Sequence, residues 1–343
     1  MDILKFGDLG ANVERWQLFL IGQGFDPDLA DGAFGQHTFD ATVAFQSEHG
    51  LGADGIVGPA TWEQAELRGF DADVTAFVDD LVECPSDGAE DDSCLGLPSR
   101  PDGAVTGSQF LEETKTRGRP EREEAIFAEI ARGNIPSFLR RFRRVALSAT
   151  GADRAAHVAI ALVTPDYLAI GSDEDFLRIP MSAITAQRIA DCCDCILPTR
   201  RLVDAIYAQA GLTLRPQPLR AGPQMMSNGY YATHQRAIES QRGGRGPGQL
   251  TAGHKKDVVI SKRLRVRPDR VAIYGWHLAQ KKPIQPLSTV HENTYADYSH
   301  GLRLVRMIVT VDGAPASAAD VLREAALCSL LSDEGPIESP RIP

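Results

Sequence analysis

No run of about 20 apolar residues occurs anywhere in the 343-residue chain, so nothing has the length that a membrane-spanning helix needs. Basic charge is also short: 36 Lys and Arg stand against 46 Asp and Glu, a net charge of −10. Binders of nucleic acid or anionic membrane use a basic surface to displace counterions, so neither partner is expected. Cysteine is scarce, six in all, too few for a disulfide scaffold of this length. Cys84 and Cys94 bracket an acidic loop and leave two readings open, a bridge that staples the loop or two unpaired thiols. Cys192, Cys193 and Cys195 crowd together without the spacing of a redox pair or a zinc knuckle. Met1 to Asp8 carry an acid and a glycine–aspartate turn where a secretory signal would place an apolar stretch.

What is present is ordinary globular composition, 43% hydrophobic and 24% charged, over a length that suits two or three domains. Val13, Trp16, Leu20 and Ile21 recur at helical spacing up to Gly24, which predicts one amphipathic helix. A loop from Asp26 to Gly35 precedes Thr38, expected to help cap a second helix with Ala41, Val43, Ala44 and Phe45. That helix stops at His49-Gly50-Leu51, and Pro59 is well placed to start a third.

Two copies of one pattern frame these helices: DGAFGQHT from Asp31 to Thr38 and DGIVGPAT from Asp54 to Thr61. With Phe45-Gln46, Gly50-Leu51 and Trp62 they cover nearly all of residues 1–68, and this stretch resembles the peptidoglycan-binding domain type 1 family. One departure is Trp16-Gln17, where the family more often has Leu-Gln. The resemblance implies a three-helix module at 1–70 that targets a protein to cell wall and has no chemistry of its own. Glycine turns that orient backbone groups and an aromatic toward a shallow groove suit a polymer of amides and hydroxyls. The residues expected to contact the wall are Asp31, Gly32, Phe34, Gly35, Thr38, Asp54, Gly55, Gly58, Thr61 and Trp62.

Beyond the module, 71–82 reads as a short helix and 83–120 as a linker rich in Asp, Gly, Pro and Ser, together a 71–120 connection. A domain at 121–343 follows. Pro120 to Ile130 reads helical, with Glu121, Glu123 and Glu124 in its first turn. Asn134 to Val145 reads as a further helix whose basic run, Arg140, Arg141, Arg143 and Arg144, makes a solvated or acid-paired face. His157 to Val163 and Tyr167 to Gly171 predict a hairpin. Helices are expected at 185–192, 199–210, 230–241 and 318–331, and strands at 256–261, 270–275 and 301–311. Strands at both ends of a helical middle predict an α+β domain with a largely antiparallel sheet.

Four of the eight histidines, His254, His277, His291 and His300, fall beside strand ends in this domain, where a sheet presents polar groups. One reading is a zinc hydrolase, because imidazole and carboxylate suit zinc and a catalytic site needs three protein ligands and an open position. His277, His291, Asp297 and His300 would hold the metal, with His254, Asp257 and His277 as catalytic candidates. The other is a cysteine hydrolase. Asp194-Cys195, followed by a helix that ends near Gly211-Leu212, resembles the NlpC/P60 pattern, in which a thiolate at a helix N-terminus attacks with a histidine as its base. Cys195 would then be the nucleophile, although Pro198 and Thr199 depart from the pattern and His157 precedes the cysteine, as in circularly permuted relatives. A structural role for the cysteines and for any single histidine stands beside both readings.

The sequence is therefore read as a modular peptidoglycan hydrolase that cleaves an amide bond of the wall peptide, zinc being its cofactor or none. A non-enzymatic wall-binding protein is one alternative. A glycan-cleaving enzyme is the other, with Glu292 and Asp297 as its carboxylates. Such a protein works at the bacterial wall, reached by lysis, by injection or after removal of a signal.

Overall fold

The computed structural model describes residues 3–23, 25–27, 32–68, 70, 94–280 and 282–343. Asp31, Cys84 and the helix expected over 71–82 lie outside the described residues, and with Cys84 goes the question of its bridge to Cys94. Two separate apolar cores divide the chain, one at 4–70 and one running from Leu95 to Ile342.

The first core is held by three helices, α1 (Ala11–Gln23), α2 (Gln36–Glu48) and α3 (Pro59–Leu67). Trp16 is its centre: it stacks on Phe19 at 5.4 Å and meets Phe45 and Trp62 edge-on at 5.5 and 5.3 Å. Its indole N–H donates to Thr42 Oγ1 at 2.8 Å. The tryptophan thus adds ring area over a leucine without orphaning a donor.

The two DG patterns turn out to be brackets closed by two glutamines. Gln17 accepts from Gly32 N at 2.9 Å and donates to Ala33 O and Thr38 Oγ1, each at 2.9 Å. Gln46 repeats this one turn later, accepting from Gly55 N at 2.8 Å and donating to Ile56 O at 2.9 Å and Thr61 Oγ1 at 3.1 Å. Thr38 is therefore no cap; Gly35 and Gly58 occupy the N-cap positions without a side-chain bond. Gly55 is required by its backbone, with φ +70° and an added Cβ only 2.2 Å from the Phe39 ring.

The second core collects everything from Cys94 onward. Residues expected as linker fold onto it: Leu95 is buried, its N–H donating to Arg140 O at 2.7 Å, and α4 (Gly107–Thr114) opens with a capping box of Thr106 and Gln109. Polar composition hid the two anchors, Leu95 and Phe110. Next come α5 (Arg119–Ala131), β1 (Arg143–Thr150) and β2 (Ala156–Val163), the two strands paired antiparallel along their whole length. The helix expected over 134–145 is replaced by a short 3₁₀ turn, Ser137–Leu139, and β1. Val145, Leu147 and Ala149 alternate inward there, a period of two that the arginines mask. Those arginines serve backbone carbonyls: Arg140 donates to Gly133 O at 2.7 Å and Arg143 to Gly248 O at 2.8 Å.

Because β1 takes β2, the expected hairpin does not form; Tyr167 leads instead into β3 (Ala169–Gly171), which pairs with β4 (Phe176–Arg178). The chain continues through α6 (Ala183–Cys192), β5 (Cys195–Ile196), α7 (Arg200–Gln209), β6 (Leu212–Thr213), α8 (Asn228–Arg242) and β7 (Thr251–Ala252). Then follow β8 (Lys256–Val259), β9 (Ala272–Ala279), β10 (Lys282–Ser288), β11 (His300–Gly301), β12 (Val305–Arg306), β13 (Ile308–Val311), β14 (Ala314–Ser317) and α9 (Ala318–Arg323). The helix expected to reach 331 ends at Arg323, and only a 3₁₀ turn at Cys328–Leu330 continues it.

A six-stranded sheet runs β14-β13-β2-β12-β5 with β1 on β2, and a four-stranded one runs β10-β9-β8-β11. All pairings in them are antiparallel except β8 with β11. The plan is a helical module followed by an α+β domain with largely antiparallel sheets. The strand expected over 301–311 is three pieces, because the chain leaves one sheet at Gly301 and joins the other at Val305. Among the described residues, no helix is long and apolar enough to cross a membrane.

Candidate functional site

Lys256 and Asp257 are neighbours on β8, so their side chains leave opposite faces of the four-stranded sheet. Each face carries a buried polar cluster, an arrangement that a purely structural sheet avoids.

On the Asp257 face, Tyr167 OH donates to Asp257 Oδ2 at 2.7 Å. Gly301 of β11 makes the seat for that ring, since an added Cβ would come within 2.5 Å of it. Arg303 approaches Asp257 Oδ1 to 3.9 Å through Nε, too far for a hydrogen bond. Both atoms are buried without a partner. The other nitrogens of Arg303 are committed, donating to Thr164 O and Thr251 O, each at 2.6 Å. Burial pushes the Asp257 carboxyl up to about 6, against the pull of Arg303 and the Tyr167 bond. His277 on β9 closes the other side. Its Nε2 lies 2.9 Å from Asp204 Oδ1 on α7, which also accepts from Tyr274 OH at 2.8 Å. Tyr207 stacks on the His277 ring at 4.6 Å. The result is a tight recess lined by Tyr167, Tyr207, Asp257, His277 and Arg303 among others. Asp204 is 38% exposed and Tyr207 half-buried, so the recess meets solvent at α7.

Behind Tyr167 lies a buried ion network. Arg178 donates to Asp166 Oδ2 through Nε and Nη2 at 2.9 and 2.7 Å, and its Nη1 reaches Glu239 at 2.6 Å. His254 Nε2 sits 3.1 Å from Asp166 Oδ1. Burial alone would raise Asp166, but Arg178 and His254 hold it far below the usual carboxylate range. His254 is lowered by the same burial, with Asp166 opposing.

The opposite face centres on Asp297, which accepts from Ser299 N at 2.8 Å and Tyr295 OH at 3.1 Å. Lys255, lowered to about 7 by burial and then by Arg178, donates to Tyr298 O at 2.8 Å. His291 stacks on Tyr295 at 4.2 Å, and burial lowers both His291 and His300 to about 4.

The structure thus brings Asp257 and His277 together, places His254 one ring away against Tyr167 at 4.9 Å, and sets Cys195 apart. Cys195 lies in β5 rather than at a helix start. Its Sγ donates to Cys193 O at 3.3 Å, and burial pushes the thiol far up, so a ready thiolate is not what this position offers. The zinc quartet is corrected too. His277 faces the recess, while His291, Asp297 and His300 belong to the other face, and no group of three His, Cys, Asp or Glu among the described residues is arranged to hold a metal. The donors do not fit zinc as the sequence had them. Glu292 is exposed and Asp297 buried, so this carboxylate pair shares no cleft. In the module, Phe34, Thr38, Thr61 and Trp62 are buried, and Gly32, Gly35, Gly55 and Gly58 shape turns and caps, as Asp54 does by accepting from Ile56 N at 2.9 Å. These residues build the scaffold; the large apolar side chains left exposed among the module's described residues are Ile3, Phe6, Leu9, Ile56 and Leu67.

Sequence reasoning missed Asp204, Tyr167 and Arg303. Arg303 carried a signal, a lone charge inside the apolar run Leu302 to Val305, which reads as a buried and paired arginine. Asp204 carried little, one acid on an amphipathic helix.

Residues 10–64 match the family described as "Putative peptidoglycan binding domain". The chain is 44% identical over 61 residues to a probable N-acetylmuramoyl-L-alanine amidase of Bacillus licheniformis, covering 17% of each chain. It is 40% identical over 88 residues to a zinc D-Ala-D-Ala carboxypeptidase of Streptomyces albus G, 24% of this chain and 34% of that one. Among solved structures, an endolysin of the Burkholderia AP3 phage is 45% identical with a TM-score of 0.18, covering 19% of this chain and 24% of the endolysin. The chain therefore spans about a third or less of the length of these relatives.

Proposed function

We propose that this chain, whose residues 10–64 are a peptidoglycan-binding domain, is a modular wall hydrolase acting at the bacterial cell wall, with its chemistry in the Asp257 recess. The module raises local substrate concentration, so the recess needs no tight site of its own. One observation carries the chemical part: a carboxyl raised to about 6 lies in a recess beside a histidine held by a carboxylate. A carboxyl tuned toward neutral pH beside a histidine in a concave site is the mark of acid–base work. The substrate is an amide of the wall peptide. Asp204 fixes the orientation of His277, which takes a proton from water as the water oxygen adds to the carbonyl carbon. Arg303 faces the charge that develops on the carbonyl oxygen. Asp257, in its acid form, gives its proton to the leaving amine as the C–N bond breaks. Zinc is named for the Streptomyces relative; the donors here do not support a site for it, and no step is routed through a metal.

A second reading, cleavage of the glycan, is supported by the two carboxyls, Asp257 and Asp204, that flank His277. Digestion of purified peptidoglycan separates the two: new free amines mark amide cleavage, new reducing ends glycan cleavage. Asp257→Asn is expected to lower turnover about 10²–10⁴-fold with wall binding intact. Because the acid form is required, kcat/KM should fall as pH rises through about 6. Full activity of Asp257→Asn would end this assignment.

A further inference from the structure

On the Lys256 face, Trp276 is held at φ +58°, a left-handed backbone that a bulky residue adopts only under constraint. The turn aims its ring among His234 and Tyr298, each pair of the three rings having centroids 5.0–6.3 Å apart, with Lys256 Nζ 5.2 Å from the indole. Trp276 Nε1 and both nitrogens of His234 and of His300 are buried with no protein partner. A buried polar group without a partner is costly, and native structures rarely leave several in one place. An indole N–H only donates, and a neutral imidazole donates once, so the set asks for an acceptor. Charge points the same way, because the Lys256 ammonium lies over the face of the indole.

We propose that this face is a second binding site, for a carboxylate, set between Trp276, His234 and Lys256 and covered by the Leu219–Met226 segment. The cover is fastened through two tyrosines: Leu219 N donates to Tyr298 OH at 2.7 Å, Tyr298 N to Met225 O at 3.0 Å and Tyr230 OH to Arg220 O at 3.0 Å, and Met225 and Met226 are partly exposed. A carboxylate there accepts from the indole N–H and sits against Lys256. Resting on the function proposed above, the natural source is a carboxyl of a wall peptide; the same chemistry would also take a small free acid.

Trp276 is the one tryptophan outside the module, the others being Trp16 and Trp62, and so reports on the site. The full chain is titrated with N-acetyl-alanine, with its amide, and with sodium acetate while tryptophan emission is followed. The free acid is expected to shift the emission and the amide to leave it unchanged. Trp276→Phe should abolish the shift, and Lys256→Gln should raise the apparent Kd about tenfold, as loss of a charge-assisted bond does. A matching shift with acetate assigns the site to small free acids; a shift with acetyl-alanine alone assigns it to a peptide terminus. No shift with either acid, or an equal shift with the amide, overturns the site. The readout needs no catalysis, and Asp257→Asn should bind as the parent does, so failure here leaves the recess assignment standing.

Discussion

The two bodies of this chain solve opposite problems. The module buries rings: Trp16, Phe19, Phe45, Trp62 and Phe70 pack face and edge, and its described buried polar side chains, Gln17, Thr38, Thr42, Gln46 and Thr61, are uncharged and bonded to one another or to the backbone. The second domain buries charge, with Arg178, Asp166, Lys255, Lys256, Asp257, Asp297 and Arg303 all nearly inaccessible. A core of rings is stabilised wherever the pattern recurs, which suits a portable adaptor. A core of ions costs desolvation and is worth keeping where the groups have chemistry to do.

Breaking an ion should therefore hurt more than trimming a ring. Arg178→Ala leaves Asp166 and Glu239 without their cation and is expected to destabilise the second domain by about 3–5 kcal/mol, read as loss of its melting transition. Trp16→Leu removes ring contacts but stays apolar, and should cost the module about 2 kcal/mol without moving the second transition. Gln46→Ala strips the bracket from Gly55 N, Ile56 O and Thr61 and should cost about 1–2 kcal/mol; an unchanged melting temperature would mean the turn holds itself. A separate test is pH. Lys255 is lowered from 10.5 to about 7, so between these values the unfolded chain binds a proton that the folded one does not. Stability of the second domain should fall as pH drops from about 10 to 7, and Lys255→Met should flatten that slope.

The same contrast explains what could be read beforehand. The module was legible because its motif is local: Asp54 to Thr61 closes one turn with residues a few positions apart, and the helix periodicity runs without interruption. Even there the motif residues proved to be framework, since a spacing that fixes a turn does not say which side chains face outward. In the second domain the α+β class and several helices followed from periodicity, and Asp257 and His277 stood out as polar groups at strand ends. Their partners did not, because Asp204, Tyr167 and Arg303 come from α7, from the approach to β3 and from the crossing between sheets. Clustering of histidines along the chain suggested one metal site, yet neighbours on a strand face opposite ways, which splits the cluster between two faces.

Arg303 sits in the short crossing between β11 and β12, after almost nine-tenths of the chain, and clasps Thr164 and Thr251 from far upstream. Contacts of such long sequence separation form late. A ribosome-bound or C-terminally clipped chain that lacks residues 300–306 holds every residue of the module's core but lacks Arg303 of the recess, so on the function proposed above targeting matures before chemistry. For a protein read as cutting wall, that order keeps every unfinished copy harmless to the cell that makes it.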